Sequence, residues 1–339
     1  MANVFRVALL GFSLLQSSLY AQVSDFSNYS FIKADSIAEL YPNHSIANLN
    51  ILSFKLTNTL NSNIEKFRAI YKWVSNNIEN DYSLYIKNKR MREKLINKPT
   101  ELADWNRQFH PKVFSKLLKD HSTVCTGYAY LIKELCYYAD IKSEIINGYG
   151  RTSKANIGGI GIPNHSWNSV ELNNKWYLCD ATWSSGSINT EAYSFIKQFN
   201  EAYFLPDPTF FVQNHYPLDS SLLFLENPPT LDEFLNAPLA YKDAFNYAIT
   251  PVLPSTFETV VKKGQSLTFK FKTKKELSNT VAKIELRQSN SSNSSSPKIY
   301  VDNLGNYCMD QQFKSKGAFD VHILFDNNYA FSYLIHVVK

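Results

Sequence analysis

The chain has 339 residues, 44% of them hydrophobic and 19% charged, with 21 Tyr, 23 Phe and a formal net charge of +5. This is the composition of a folded soluble protein, long enough for one large or two ordinary domains, and its aromatics suit β-structure and broad contact surfaces. The small, scattered positive excess lacks the basic face with interleaved aromatics that nucleic-acid binding needs, so no nucleic-acid partner is expected.

The first residues carry Arg6, an apolar run from Val7 to Leu19 and a small residue at Ala21. That layout predicts a secretory signal peptide over 1–21, too short to span a bilayer, with cleavage after Ala21. No Cys stands at the expected cut to carry a lipid, and no later apolar run is long enough for a membrane span. The expected location is secreted or periplasmic. Residues 22–60 are mixed and poorly periodic. In NSNIEKFRAIYKWVSNNIEND, Ile64, Phe67, Tyr71, Val74 and Ile78 fall three or four apart, one face of a helix that Asn61 or Ser62 would cap. The basic run KNKRMREKLINK at 87–98 reads as a solvated helix face. PKVFSKLLKD at 111–120 reads as a second helical piece with proline in its first turn.

The strongest helical pattern follows, on Tyr128, Leu131, Ile132, Leu135, Cys136 and Ala139, with Ser122 or Thr123 as cap and Cys125 in the first turn. IKSEIINGYG then reads as a strand, and a glycine-rich loop leads into the hairpin NHSWNSVELNNKWYLCDATW at 164–183. With Asn173-Asn174 as a two-residue turn, Leu172 faces Lys175, Trp167 faces Asp180 and His165 faces Thr182. His165 and Asp180 are then diagonal neighbours on one face, and Cys179 points to the other. Residues 191–241 read as an aromatic and proline-rich wrapping arm. From about 250 the pattern alternates, as in Leu267, Phe269, Phe271 and in the runs Phe319–Phe325 and Tyr329–Val337 joined at Asp326-Asn327-Asn328. A β-sandwich of immunoglobulin-like type is expected over 249–339, with the SNSSNSSSP run at 289–297 as a flexible connection.

A carboxylate beside an imidazole fixes its tautomer, and a thiol at a helix N-terminus beside such an imidazole becomes a thiolate. Cys125, His165 and Asp180 therefore form a candidate triad of nucleophile, general base and acid, and orienting group for acyl transfer through a thioester. Gly127 would let the helix start approach the sheet. Taken singly each residue has a plainer reading: a core cysteine, a satisfied surface histidine, a loop cap. His121 reads as a helix-end residue. His110 and His215 sit beside prolines in loop-like segments with no acidic partner in a strand. The four cysteines and seven histidines show no zinc-like spacing, so no metal and no cofactor are assigned. Cys125 and Cys136 on one helix would be roughly 16 Å apart, beyond disulfide reach. Trp167 and Trp183 read as cleft walls or core.

The strings VCTGYAYLIKELC, NHSWNSVELNNKWYLCDATW and KWVSNNIENDYSLY resemble the three signature blocks of the transglutaminase-like superfamily, and EAYFLPDPTFFVQNHYPLD with TLDEFL resembles the extension of its kyphoscoliosis-peptidase branch. The likeness covers roughly residues 60–240. It implies an α+β fold with a papain/transglutaminase-like core, a helix packed on an antiparallel sheet, in residues 22–248, and makes Cys125, His165 and Asp180 the expected catalytic triad. Thr123 stands where relatives often have Gly. The resemblance implies a cysteine peptidase or transglutaminase-like acyltransferase on a peptide or protein substrate; the signal peptide makes it an exported one, and the C-terminal domain, which lies outside the likeness, is a candidate surface for a protein partner. Two alternatives stay open: a binding or adhesion protein on the same scaffold, and a structural protein with Cys125 in a disulfide to Cys179 or Cys308.

Overall fold

The computed structural model describes residues 22–339 apart from 190, 191, 193, 274, 278, 279, 289 and 290. The expected signal peptide lies outside the described residues. Two short helices, α1 (Ile32–Glu39) and α2 (Leu49–Thr57), pack on α3 (Asn63–Asn77). Ser62 and Glu65 close a reciprocal capping box at the start of α3, each side chain accepting the other's backbone N–H. The expected face of Ile64, Phe67, Tyr71, Val74 and Ile78 is buried, and so are Ala69, Ile70 and Trp73. Helix α3 is thus covered on several sides, and each large apolar side chain it buries contributes about 2 kcal/mol of transfer free energy.

The basic run lies on α4 (Tyr82–Leu95), whose only buried residue is Leu95. Helix α5 runs unbroken from Pro99 to Asp120 with Pro111 inside, where the sequence suggested a helix beginning at 111. Pro111 removes one hydrogen bond, yet Phe109, Val113 and Leu117 keep a buried stripe across it and Trp105 stacks on Phe109, which holds the helix together. Proline in the first turn belongs instead to Pro99.

Helix α6 (Cys125–Tyr138) buries the predicted stripe against a four-stranded antiparallel sheet. In sheet order its strands are Lys175–Cys179, His165–Leu172, Ser143–Gly150 and His215–Pro217; numbered along the chain they are β1 (Ser143–Gly150), β2 (His165–Leu172), β3 (Lys175–Cys179) and β4 (His215–Pro217). Asn173 and Asn174 have φ of 51° and 60°, the left-handed pair a two-residue hairpin turn requires, and Leu172 faces Lys175. The β2–β3 ladder stops at Asn168 opposite Cys179, so the expected pairs Trp167–Asp180 and His165–Thr182 do not form. Instead the chain coils into the one-and-a-half-turn helix α7 (Ala181–Ser185), with Asp180 as N-cap. The expected wrapping arm is more ordered than its irregular sequence suggests: it supplies β4, which completes the sheet beside β1.

Past residue 249 the chain forms two sheets, mostly antiparallel. One has the order Ile249–Leu253, Ser266–Thr273, Tyr307–Gln312, Tyr300–Val301; the other runs Glu258–Lys262, Asn328–Val338, Gly317–Phe325, Ala282–Gln288, Ser291–Ser295. Glu258–Lys262 joins Asn328–Val338 in parallel. Phe269, Phe271 and Met309 from the first sheet and Ile284, Val321, Ile323, Phe331 and Ile335 from the second share one apolar cluster. Asp326 and Asn327 form the turn between the last two strands. The serine-rich segment expected as a flexible connection is partly strand: Ser291–Ser295 pairs with Ala282–Gln288 and is exposed throughout. An edge strand needs only its backbone groups for pairing, which is why apolar alternation does not reveal it. Leu239–Ala240 also pairs with Asn328–Val338, tying the end of the preceding region to these sheets.

Candidate active site

Cys125 is the first residue of α6, and the backbone before it is fixed by a parallel pairing of Glu79–Asn80 with Ser122–Thr123. The cap is Val124, which has no side-chain acceptor, rather than Ser122 or Thr123, since both of those are committed to the short ladder. The first-turn N–H groups are therefore not closed off by a capping side chain, and the positive end of the helix lies at the thiol. Gly127 makes close approach possible against Thr123 rather than the sheet: a Cβ there would lie 2.1 Å from Thr123 Oγ1.

His165 begins β2 and Asp180 ends the turn out of β3. The Nε2–H of His165 donates to Asp180 Oδ2 at 2.7 Å, and the side chain of His165 is hydrogen-bonded to Cys125. With Nε2 engaged by Asp180, Nδ1 is the ring nitrogen left for the thiol. Asp180 is buried and fully used. Its Oδ1 accepts from Thr182 N at 2.8 Å and Trp183 N at 3.2 Å, and its backbone oxygen accepts from the Tyr71 hydroxyl at 2.9 Å. Asp180 thus caps α7 through Oδ1 and meets His165 through Oδ2.

The second donor to Oδ2 is His215, whose Nε2 lies 3.0 Å away. Sequence reasoning missed it, treating His215 as a loop residue without an acidic partner; it stands on β4, opposite Gly150, completely buried. Its Nδ1 lies 2.6 Å from the Asn214 side-chain amide, which also meets the Tyr203 hydroxyl at 3.2 Å. Its ring stacks on Phe211 at 4.0 Å between centroids, and Trp183 lies 4.4 Å from it. Trp167 is buried core beneath the two histidines, whereas half-buried Trp183 also lines the cleft. His165, Asp180 and His215 hold their ligand atoms within 4.8 Å of one another, a grouping with metal-ligand chemistry that histidine spacing did not reveal. Both imidazoles sit at hydrogen-bonding distance from a single oxygen, so the cluster is already satisfied by its own protons.

The electrostatics separate these groups. Burial works against charge on His165, but the Asp180 carboxylate beside it and the Cys125 thiol outweigh this and raise its pKa to about 10. Burial would push the Cys125 thiol up; the His165 hydrogen bond and charge, with a backbone hydrogen bond from Ser166, bring it below the ordinary value. Burial likewise opposes ionisation of Asp180, and the two histidines overcome it and hold the carboxyl far below its usual range. Burial lowers His215 to about 4, so it is a neutral donor to Asp180. The other thiols differ: burial raises Cys136, Cys179 and Cys308. All four cysteines are free, so the disulfide alternative for Cys125 is not realised. His121 ends α5 in the left-handed conformation with φ 50°, and His110 lies exposed within α5 rather than in a loop. Cys125 and His165 open into a cleft of about 640 Å³ that is also lined by Tyr82, Tyr85, Trp183 and Lys242.

Residues 51–181, which carry Cys125, His165 and Asp180, match the family described as the transglutaminase-like superfamily. Within it the likeness is to the kyphoscoliosis-peptidase branch. Kyphoscoliosis peptidase of Mus musculus is 29% identical over 210 residues, 61% of this chain and 29% of that protein, and its Homo sapiens counterpart is 28% identical over the same shares. Hillarin of Drosophila melanogaster is 28% identical over 137 residues, 36% of this chain and 17% of that protein. The match thus spans less than a third of each of these relatives.

Proposed function

We propose that this protein is a cysteine-dependent acyl-transfer enzyme acting on peptide or protein amides, with Cys125 as nucleophile, His165 as general acid and base and Asp180 as orienting group. The observation that carries the reading is His165 held between the thiol and a buried carboxylate at the mouth of a cleft. In the resting pair Sγ is a thiolate and His165 an imidazolium. Sγ attacks the amide carbon, the carbonyl electrons move to oxygen, and the N-terminus of α6 faces the developing oxyanion. On collapse the C–N bond breaks and His165 Nδ1–H protonates the departing amine, leaving a thioester. Water or an amine then attacks, giving its proton to His165, and the thiolate is released.

The proposal extends to the whole chain. Export after removal of residues 1–21 rests on Arg6 and the Val7–Leu19 run. Division into 22–248 and an immunoglobulin-like 249–339 is supported by the alternating strands and the cluster shared between two sheets. That second unit is the expected holder of a protein partner.

The test is incubation of the purified protein with a casein substrate and a biotinylated amine, with Cys125→Ala as blank. New chain termini or amine adducts that vanish in the blank support the proposal. Equal products, or none, with both proteins favour the binding-scaffold reading.

A further inference from the structure

The cleft at Cys125 has a wall of one sign. Its lining includes Lys89 on α4, Arg151 and Lys154 just after β1, and Lys242 before the C-terminal sheets, and among the described residues that line it there is no Asp or Glu. The chain as a whole carries only +5, so four like charges around one cleft are a local concentration and not a sample of the average surface. Arg151 is 1% exposed, and its guanidinium donates to the backbone carbonyls of Asn156, Pro238 and Ala237. Carbonyl dipoles satisfy its N–H groups without cancelling its charge, and burial lowers its pKa only to about 10, so it is a cation at neutral pH. Lys89 donates to the Lys154 carbonyl oxygen at 2.7 Å, and Glu93, 3.8 Å from its ammonium, lies outside the lining. Low-dielectric walls of tyrosine and tryptophan focus such a field into the cleft rather than letting solvent screen it.

We propose that this wall selects the substrate: a peptide bearing Asp or Glu side chains beside the reacting amide. The same field opposes the ε-ammonium of lysine as acyl acceptor, so water resolves the thioester. The proposal rests on the acyl-transfer reading of Cys125, but the field can be measured without turnover.

The measurement is the rate at which Cys125 in the full chain is alkylated by anionic iodoacetate and by neutral iodoacetamide, located by peptide mass spectrometry. The ratio of the two rates cancels thiolate fraction and nucleophilicity. Referred to the same ratio for a small neutral thiol, it is expected to be about tenfold higher at low ionic strength and to collapse at about 0.5 M salt. Lys154→Gln with Lys242→Gln should lower it by about threefold or more; because the ratio cancels any change in thiolate fraction, that drop assigns the effect to the lysines and not to the imidazolium, which the double variant keeps. A ratio equal to that of the small thiol, or one indifferent to both substitutions, overturns the proposal. Failure of the casein assay with the ratio still high removes the acyl-transfer reading and leaves an anion-selective cleft. Where turnover occurs, cleavage sites in a peptide library must be enriched in Asp and Glu; enrichment in Lys contradicts the selection.

Discussion

His215→Phe separates holding the carboxylate from activating the thiol. The phenyl ring keeps the stack on Phe211 at 4.0 Å and fills the same fully buried volume. It deletes the 3.0 Å hydrogen bond to Asp180 and the 2.6 Å contact with Asn214. A hydrogen bond to a buried charge contributes about 1.5–3 kcal/mol and an orphaned amide costs about 1–3 kcal/mol more, so a loss of about 3–5 kcal/mol in unfolding free energy is expected. Asp180 retains three N–H donors, from His165, Thr182 and Trp183. It therefore remains ionised and His165 remains an imidazolium. Urea denaturation should show the destabilisation, while alkylation of Cys125 at about pH 6 should stay within about threefold of wild type, equivalent to half a pKa unit. Asp180→Asn should instead move the alkylation profile toward an ordinary thiol. The reasoning is refuted if His215→Phe unfolds at the wild-type urea midpoint, or shifts the profile as far as Asp180→Asn does.

Three further outcomes can be checked independently. His215 has its pKa lowered to about 4 from an ordinary 6.5, so its contribution is fully present above pH 6.5 and is lost as pH falls toward 4; wild type should lose about 3 kcal/mol more over that window than His215→Phe, read by denaturation at stepped pH. Gly127→Ala places a Cβ 2.1 Å from Thr123 Oγ1 and should cost about 1–3 kcal/mol, a loss that Thr123→Gly in the same chain removes; additive behaviour in the double-mutant cycle would rule out the clash. Tyr71→Phe removes the hydroxyl that meets the backbone oxygens of Asp180 and Tyr203, both at 2.9 Å, and should lower stability by about 1–3 kcal/mol, with no change in urea midpoint arguing against that role.

What the sequence made legible is local. A two-residue turn at Asn173-Asn174 and a period of two fix the hairpin register, and residue spacing alone identifies the buried faces of α3 and α6. His165 and Asp180 come together as expected, although through the cap of α7 and not through continued pairing. His215 was invisible because a three-residue strand has no measurable period and its partners, Gly150 and Asp180, are distant in sequence. The continuation of α5 through Pro111 depends on a buried stripe that spans the proline, and the Ser291–Ser295 strand depends on backbone pairing alone. Each of these is a tertiary effect that overrides a correct local preference.

The most direct test of the account is the pH dependence of Cys125 alkylation by iodoacetamide in the wild-type chain and in His165→Ala. A thiol lowered below its ordinary value of 9.0 by an imidazole raised to about 10 holds more thiolate than a free cysteine at the same pH, and the advantage declines as His165 loses its proton near pH 10. The account predicts labelling at about pH 6 that far exceeds a free cysteine and disappears in His165→Ala. Labelling that follows an ordinary thiol in both proteins would contradict it.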